Sequence, residues 1–259
     1  MDDIAPKLIE DVAKEFRKRY AVSPKVQSLL KKVKAGTATY SEAHRYSVEV
    51  SKLIGDVLNS HVSSATLPDG KMYYNIADRL IPSVLDNNYN LVTRYTKQVQ
   101  ETLNKSARIG LKTVVPEADL DRVSGIVELA TGADLFDDVA AEVLTSIQNY
   151  AEHLVDQSIK DNADAQYGAG LNPTITRTVA GRACPWCEEI AGKYDYAAIQ
   201  ETGSRVWQRH QNCHCVIVYD PGDGKRETVD NYRRDDRSVR SVPVIDDRSA
   251  EKIRRRKAL

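Results

Sequence analysis

From Asp2 to about Gly168, apolar residues recur at three- and four-residue spacing and glycine is scarce, the pattern of successive amphipathic helices. Ile4, Leu8, Ile9, Val12, Phe16 and Tyr20 form the first stripe. Ser23-Pro24 punctuates it, and Pro24 suits the first turn of a second helix that should stop near Gly36. A third helix is expected from Thr39 or Ser41, just ahead of Glu42, carrying Tyr46, Val50, Leu53, Ile54, Val57 and Leu58. The turn signal Leu67-Pro68-Asp69-Gly70 closes that region. A longer tract from about Tyr74 to Ala107 keeps one face apolar over many turns, with Pro82 expected to kink or interrupt it. A last helix is predicted from about Asp134 to Ala163, with Leu135, Val139, Val143, Ile147 and Leu154 on its stripe. Helices of this length predict an extended bundle rather than a compact ball.

After Tyr167-Gly168-Ala169-Gly170 the texture changes. Thr174 to Val179 alternates and is β-branched, and Cys215-Val216-Ile217-Val218-Tyr219 is a short apolar run ended by Asp220-Pro221-Gly222-Asp223-Gly224. The chain is therefore expected to be mainly α: an extended helical domain over 1–170, a small metal-stabilised α+β module over 171–223, and a charged, partly extended tail over 224–259. The tail holds twelve Lys/Arg against seven Asp/Glu and ends Arg254-Arg255-Arg256-Lys257. Those four residues are candidate contacts for DNA phosphates or an acidic partner surface. A solvated charged tail fits equally, because Asp and Glu are interspersed in it.

Charge narrows the function classes. Lys+Arg 37 against Asp+Glu 37 leaves no global field to draw the chain onto nucleic acid or an anionic membrane, so such binding needs a local patch. The start, Met1-Asp2-Asp3, is acidic where a secretory leader would be basic, and no apolar run approaches the roughly 18 residues of a membrane span. A soluble, cytosol-made protein is expected. Thirteen Tyr against 2 Phe and 2 Trp favour half-buried interfaces, since a buried Tyr hydroxyl needs a partner.

The chemistry lies in one window. All 4 cysteines fall between positions 184 and 215, too clustered for a disulfide framework in a chain of this length. Cys184-Pro185-Trp186-Cys187 is followed, after a long interval, by His210-Gln211-Asn212-Cys213-His214-Cys215. Two donor pairs joined by a loop are what a tetrahedral zinc site requires. Cys184, Cys187, His210, Cys213 and Cys215 compete for four places, with His214 a sixth candidate, and the spacing leaves Cys₄ and Cys₃His both open. A closed four-ligand site is a structural one, whereas catalytic zinc keeps a position for water. A thiol–disulfide oxidoreductase motif would belong near a βαβ pattern, and a c-type haem would need His where Glu188 stands. A His-Asn-His nuclease would need further ligands on a following helix; no His follows His214, and Asn231 is the sole later Asn. Glu188 and Glu189 read as solvated or helix-start carboxylates. His44, His61 and His153 lie singly on predicted helices and are assigned no role.

Cys184-Pro185-Trp186-Cys187-Glu188-Glu189-Ile190-Ala191-Gly192-Lys193-Tyr194, with Arg209-His210-Gln211-Asn212-Cys213-His214-Cys215, resembles the C-terminal module of the Mu F-like head morphogenesis proteins, minor head proteins of tailed phages. The likeness covers residues 175–220, and the first 170 in texture alone. Position by position, Cys184, Cys187, His210, Cys213 and Cys215 match its metal motif and Gly192 its turn. The chain differs in carrying His214 where Arg is frequent and in lacking a Pro after His210. The resemblance implies a virion protein of few copies in the phage head, acting near the portal, with structural Zn²⁺ and no known enzymatic activity. Its expected partners are the portal and major capsid proteins and the packaged DNA, with no membrane and no small-molecule substrate. The competing expectations are a zinc-finger nuclease using His210 or His214, and a DNA-binding adaptor acting through the tail.

Overall fold

The computed structural model describes residues 3–179, 184–210, 213 and 215–222. Its helical part comprises α1 (Ala5–Val22), α2 (Pro24–Lys34), α3 (Tyr40–His61), α4 (Tyr74–Ala107), α5 (Leu120–Thr131) and α6 (Ala140–Gly168). Then come β1 (Thr174–Thr178), α7 (Pro185–Glu189), β2 (Gly192–Asp195), α8 (Tyr196–Thr202) and β3 (Val216–Asp220). The fold is mainly α with one small sheet.

Local chemistry sets most boundaries. Ser23 caps α2 by accepting from the Val26 N–H at 3.4 Å, with Pro24 at the first helical position, where its missing N–H costs nothing. The Glu42 carboxylate reaches back to the Thr39 N–H at 3.0 Å and so holds the start of α3. Asp119 caps α5 through the Arg122 N–H at 3.0 Å.

Three expectations change. Pro82 does not interrupt α4, which runs 34 residues through it. Flanking turns packed through Leu80, Ile81, Val84 and Leu85 hold the helix where one backbone bond is missing. The final helix starts at Ala140, not Asp134, because Leu135 is extended and Phe136–Asp138 form a 3₁₀ turn. That turn is tied to the segment after α3: Asp137 accepts from the Ser64 N–H at 2.8 Å, and Ser64 Oγ from the Asp137 N–H at 3.1 Å. Helix α5, which the hydrophobic pattern did not single out, buries Ile126, Val127 and Ala130.

The sheet has order β2-β1-β3 and both pairings are antiparallel. Strand β2 was not anticipated; it is four residues long, and its register sets Tyr194 opposite Ile175 and Gly192 opposite Arg177. Strand periodicity puts Ile175, Arg177, Ile217 and Tyr219 on one face, and all four are fully buried. This face meets the helices: Tyr219 lies edge-on to Tyr40 of α3, and the His44 imidazole of α3 bonds the backbone of Ile217. The principal core is accordingly continuous across residue 170, holding Val50, Leu85, Ile147 and Ile159 with Ile175, Tyr196 and Ile217. A second, smaller cluster contains Val179, Cys187, Ala191, Cys213 and Cys215, with Cys184 and Trp186 against it. Among the described residues no helix is long and apolar enough to cross a membrane.

Candidate metal centre

Two short turns bring the donors together. In the first, Cys184 precedes α7 as its cap, and its sulfur accepts from the Cys187 N–H at 3.4 Å. Pro185 then starts the helix, so Cys184 and Cys187 project from one turn. In the second, the Cys213 N–H donates to the His210 carbonyl at 3.2 Å, presenting another pair of donors three residues apart.

The turns face each other across short distances. His210 Nε2 lies 3.2 Å from Cys184 Sγ and 2.9 Å from Cys187 Sγ. Cys187 Sγ lies 3.8 Å from Cys213 Sγ, which matches the edge of a tetrahedron of zinc-bound sulfurs at about 2.3 Å from the ion, roughly 3.8 Å. Two compact donor groups share Cys187: Cys184, Cys187 and His210, and Cys187, Cys213 and Cys215. Each of the five candidates thus belongs to one of two donor groups that meet at Cys187. Three of the sulfurs are buried and none is in a disulfide. Soft thiolates plus an imidazole, closely packed, are a donor set suited to zinc. His214 and the four basic residues Arg254, Arg255, Arg256 and Lys257 lie outside the described residues.

The thiols differ electrostatically. Cys213 is held down to about 4, chiefly by the hydrogen bond from the Cys215 thiol and further by the Arg209 guanidinium. Cys215 is correspondingly pushed up, because its proton is committed to Cys213 and burial adds to the effect. Burial raises Cys187 to about 11, and the Cys187 N–H lowers Cys184. Negative charge thus gathers on Cys213, where two guanidiniums converge. Arg177 Nη2 donates to Cys213 Sγ at 3.4 Å, and Arg209 Nη1 approaches the same sulfur to 4.0 Å.

Arg177 is the largest fully buried side chain, an unusual occupant of a central strand. Its Nη1 donates to the carbonyls of Val206 and, at 2.8 Å, Gln208, while its Nε has no partner. No carboxylate within ion-pair distance balances it among the described residues, so the sulfur is its anionic counterpart. Trp186 covers the site: His210 is T-shaped to its indole with ring centroids 5.4 Å apart, and the Arg177 and Arg205 guanidiniums lie 5.7 and 5.9 Å from that ring. Glu189, exposed on α7, pairs with Arg205 at 3.4 Å.

Two features escaped the sequence reading. One is Arg177, whose alternating position marked it as inward-facing but whose charge argued otherwise. The other is a buried polar group behind the site. Arg209 sits between Glu152 and Asp156 of α6, and Asp156 in turn lies 3.5 Å from His44. His44 had no visible role because its backbone partner, Ile217, is 173 positions away.

Searches of curated proteins and of solved structures each returned no match. The sequence model of the VG15 protein family matches residues 16–237, spanning the helical body, both donor turns and part of the tail. The chain belongs to the VG15 protein family and is a phage protein.

Proposed function

We propose that this chain is a structural component of the phage head, a minor head protein of the Mu F-like kind acting in head morphogenesis near the portal, and that it is not an enzyme. The observation that carries the reading is the closed donor cluster. Five Cys and His donors form two compact groups that share Cys187, three of the sulfurs are buried, and the Trp186 indole packs edge-on against His210. A site enclosed in that way suits an ion that holds a fold together better than one that must admit water and substrate. Family membership supports a phage context.

Zinc is the ion the donor chemistry favours. Cys184, Cys187, His210 and Cys213 would hold it, two donors from each turn, with Cys215 outside the ligand set as a hydrogen-bond donor to Cys213. Bound zinc would supply folding free energy to residues 184–215. Portal and capsid subunits are the proposed partners, met through the helical body. Exposed Tyr74, Leu120 and Leu135 offer apolar contact on its surface.

Quantitative mass spectrometry of purified phage particles tests the assignment. A few to tens of copies per particle, fixed relative to the portal, is the expected result. Absence from particles, together with Mg²⁺-dependent cleavage of plasmid DNA lost on His210→Ala, would replace the structural reading with the nuclease one.

A further inference from the structure

We propose that Arg209 is a latch through which metal occupancy of the cysteine cluster controls the packing of α6 against α3 and β3. The inference rests on the metal reading above and extends it to the helical body.

Arg209 directly precedes the donor His210, and its side chain passes beside Cys213 to reach the carboxylates of α6. Nη1 donates to Glu152 at 2.7 Å, Nη2 to Asp156 at 3.0 Å, and Nε to the second Asp156 oxygen. The two carboxylates stand one helical turn apart, so a single planar guanidinium spans both. The three side chains are no more than 4% exposed. The same Nη1 also faces the Cys213 carbonyl at 3.4 Å, so the guanidinium is shared between α6 and the donor turn. Asp156 further contacts His44 of α3, which bonds the β3 backbone at Ile217. Three elements and the donor turn thus meet at one ion pair.

The dependence on metal follows from what holds Arg209 in place. Among the described residues between Trp207 and Val216 there is no helix or strand. They are held by the backbone bonds of Gln208 to Arg205 and of Cys213 to His210, the Arg177 bond to Gln208, the donor contacts and Arg209 itself. With an ion bound, His210 and Cys213 are fixed and Arg209 is presented to α6. With the ion removed, the turn loses its anchor, and departure of the guanidinium takes from buried Glu152 and Asp156 the one cation that spans both. Gln148 donates to Glu152 at 3.0 Å but brings no charge. Linkage makes the effect reciprocal: whatever the ion contributes to the latch, the latch contributes to ion affinity.

Hydrogen exchange on the full chain, with zinc and after chelation, tests this directly. Stripping zinc should raise exchange about tenfold or more in peptides covering 150–159 and 42–48, while 5–34 stays unchanged. Arg209→Gln, which keeps every donor, should weaken zinc about 10- to 100-fold in competition with a chromophoric chelator. Its zinc-loaded exchange over 150–159 should resemble that of the stripped parent. Stoichiometric zinc with unchanged exchange over 150–159 on stripping overturns the latch and leaves the metal reading standing. A full chain that takes up neither zinc nor cobalt overturns both. Should Arg209→Gln fail to fold, the comparison on the unaltered chain still decides.

Discussion

At the scale of single residues, charge placement decides the site. Cys213 is the sulfur on which two buried guanidiniums converge and to which the Cys215 thiol donates, so Cys213 is prepared as a thiolate and Cys215 is not. Cys215→Ser should therefore retain one zinc per chain, whereas Cys184→Ser, Cys187→Ser, His210→Ala and Cys213→Ser should each lose it, as read by metal analysis after gel filtration. Zinc retained by Cys213→Ser and lost by Cys215→Ser would exchange the two assignments. His44 makes a second prediction. Burial holds its pKa down to about 4, with Asp156 opposing and Arg209 and Arg177 adding to the depression. The folded protein then refuses a proton that the unfolded chain accepts below about 6.5. Stability is thus complete above that pH and falls as pH drops toward 4, by about 3 kcal/mol for this group. Asp156, itself lowered, acts in the same direction at still lower pH. His44→Gln can keep a bond to the Ile217 backbone without titrating. Denaturant titrations between pH 4 and 7 should show a shallower slope for it than for the parent; equal slopes would remove His44 from the account.

At the scale of elements, propensity and capping explain the helix starts, and tertiary ties explain the departures. Helix α4 begins and ends where the apolar stripe placed it, and Ser23-Pro24 and Thr39 act as the boundaries their chemistry suggested. Pro82 is the exception, because a proline's local cost is met by packing that no single-helix pattern displays. That leaves a testable surplus. Pro82→Ala restores a donor to the Asp78 carbonyl, and after allowing for the looser unfolded chain it should stabilise by about 1–2 kcal/mol. A fall in the chemical-denaturation midpoint would instead mean that the half-buried ring is needed for packing. Strand β2 was hidden for a different reason: four residues with a glycine at the start carry too little periodicity, and their strand character comes from pairing with β1.

For the whole molecule, the relevant fact is that one core serves helices and sheet together. Tyr219 and Ile217 of β3 are as buried as Ile147 and Leu154 of α6. A polar seam runs through the same interior: Tyr40 donates to Gln100 at 2.8 Å, and Gln100 and Gln166 both donate to Asn104. Thermal unfolding of the zinc-loaded chain should accordingly be one transition, coincident by far-UV and near-UV circular dichroism. Two separated transitions would show that the sheet and donor turns unfold independently of the helical body.

The sequence by itself determined the mainly helical class, most helix boundaries, the two flanking strands and the cluster of Cys and His residues that could hold a metal. These follow from patterns within a few turns of chain, which local sterics, capping and metal-ligand spacing dictate. Tertiary structure alone decided that β2 pairs beside β1, that Arg177 is buried against a sulfur, and that Arg209 ties the donor turn to α6. Each of those depends on groups brought together from distant positions, where burial turns an ordinary surface charge into one that must find its counterpart.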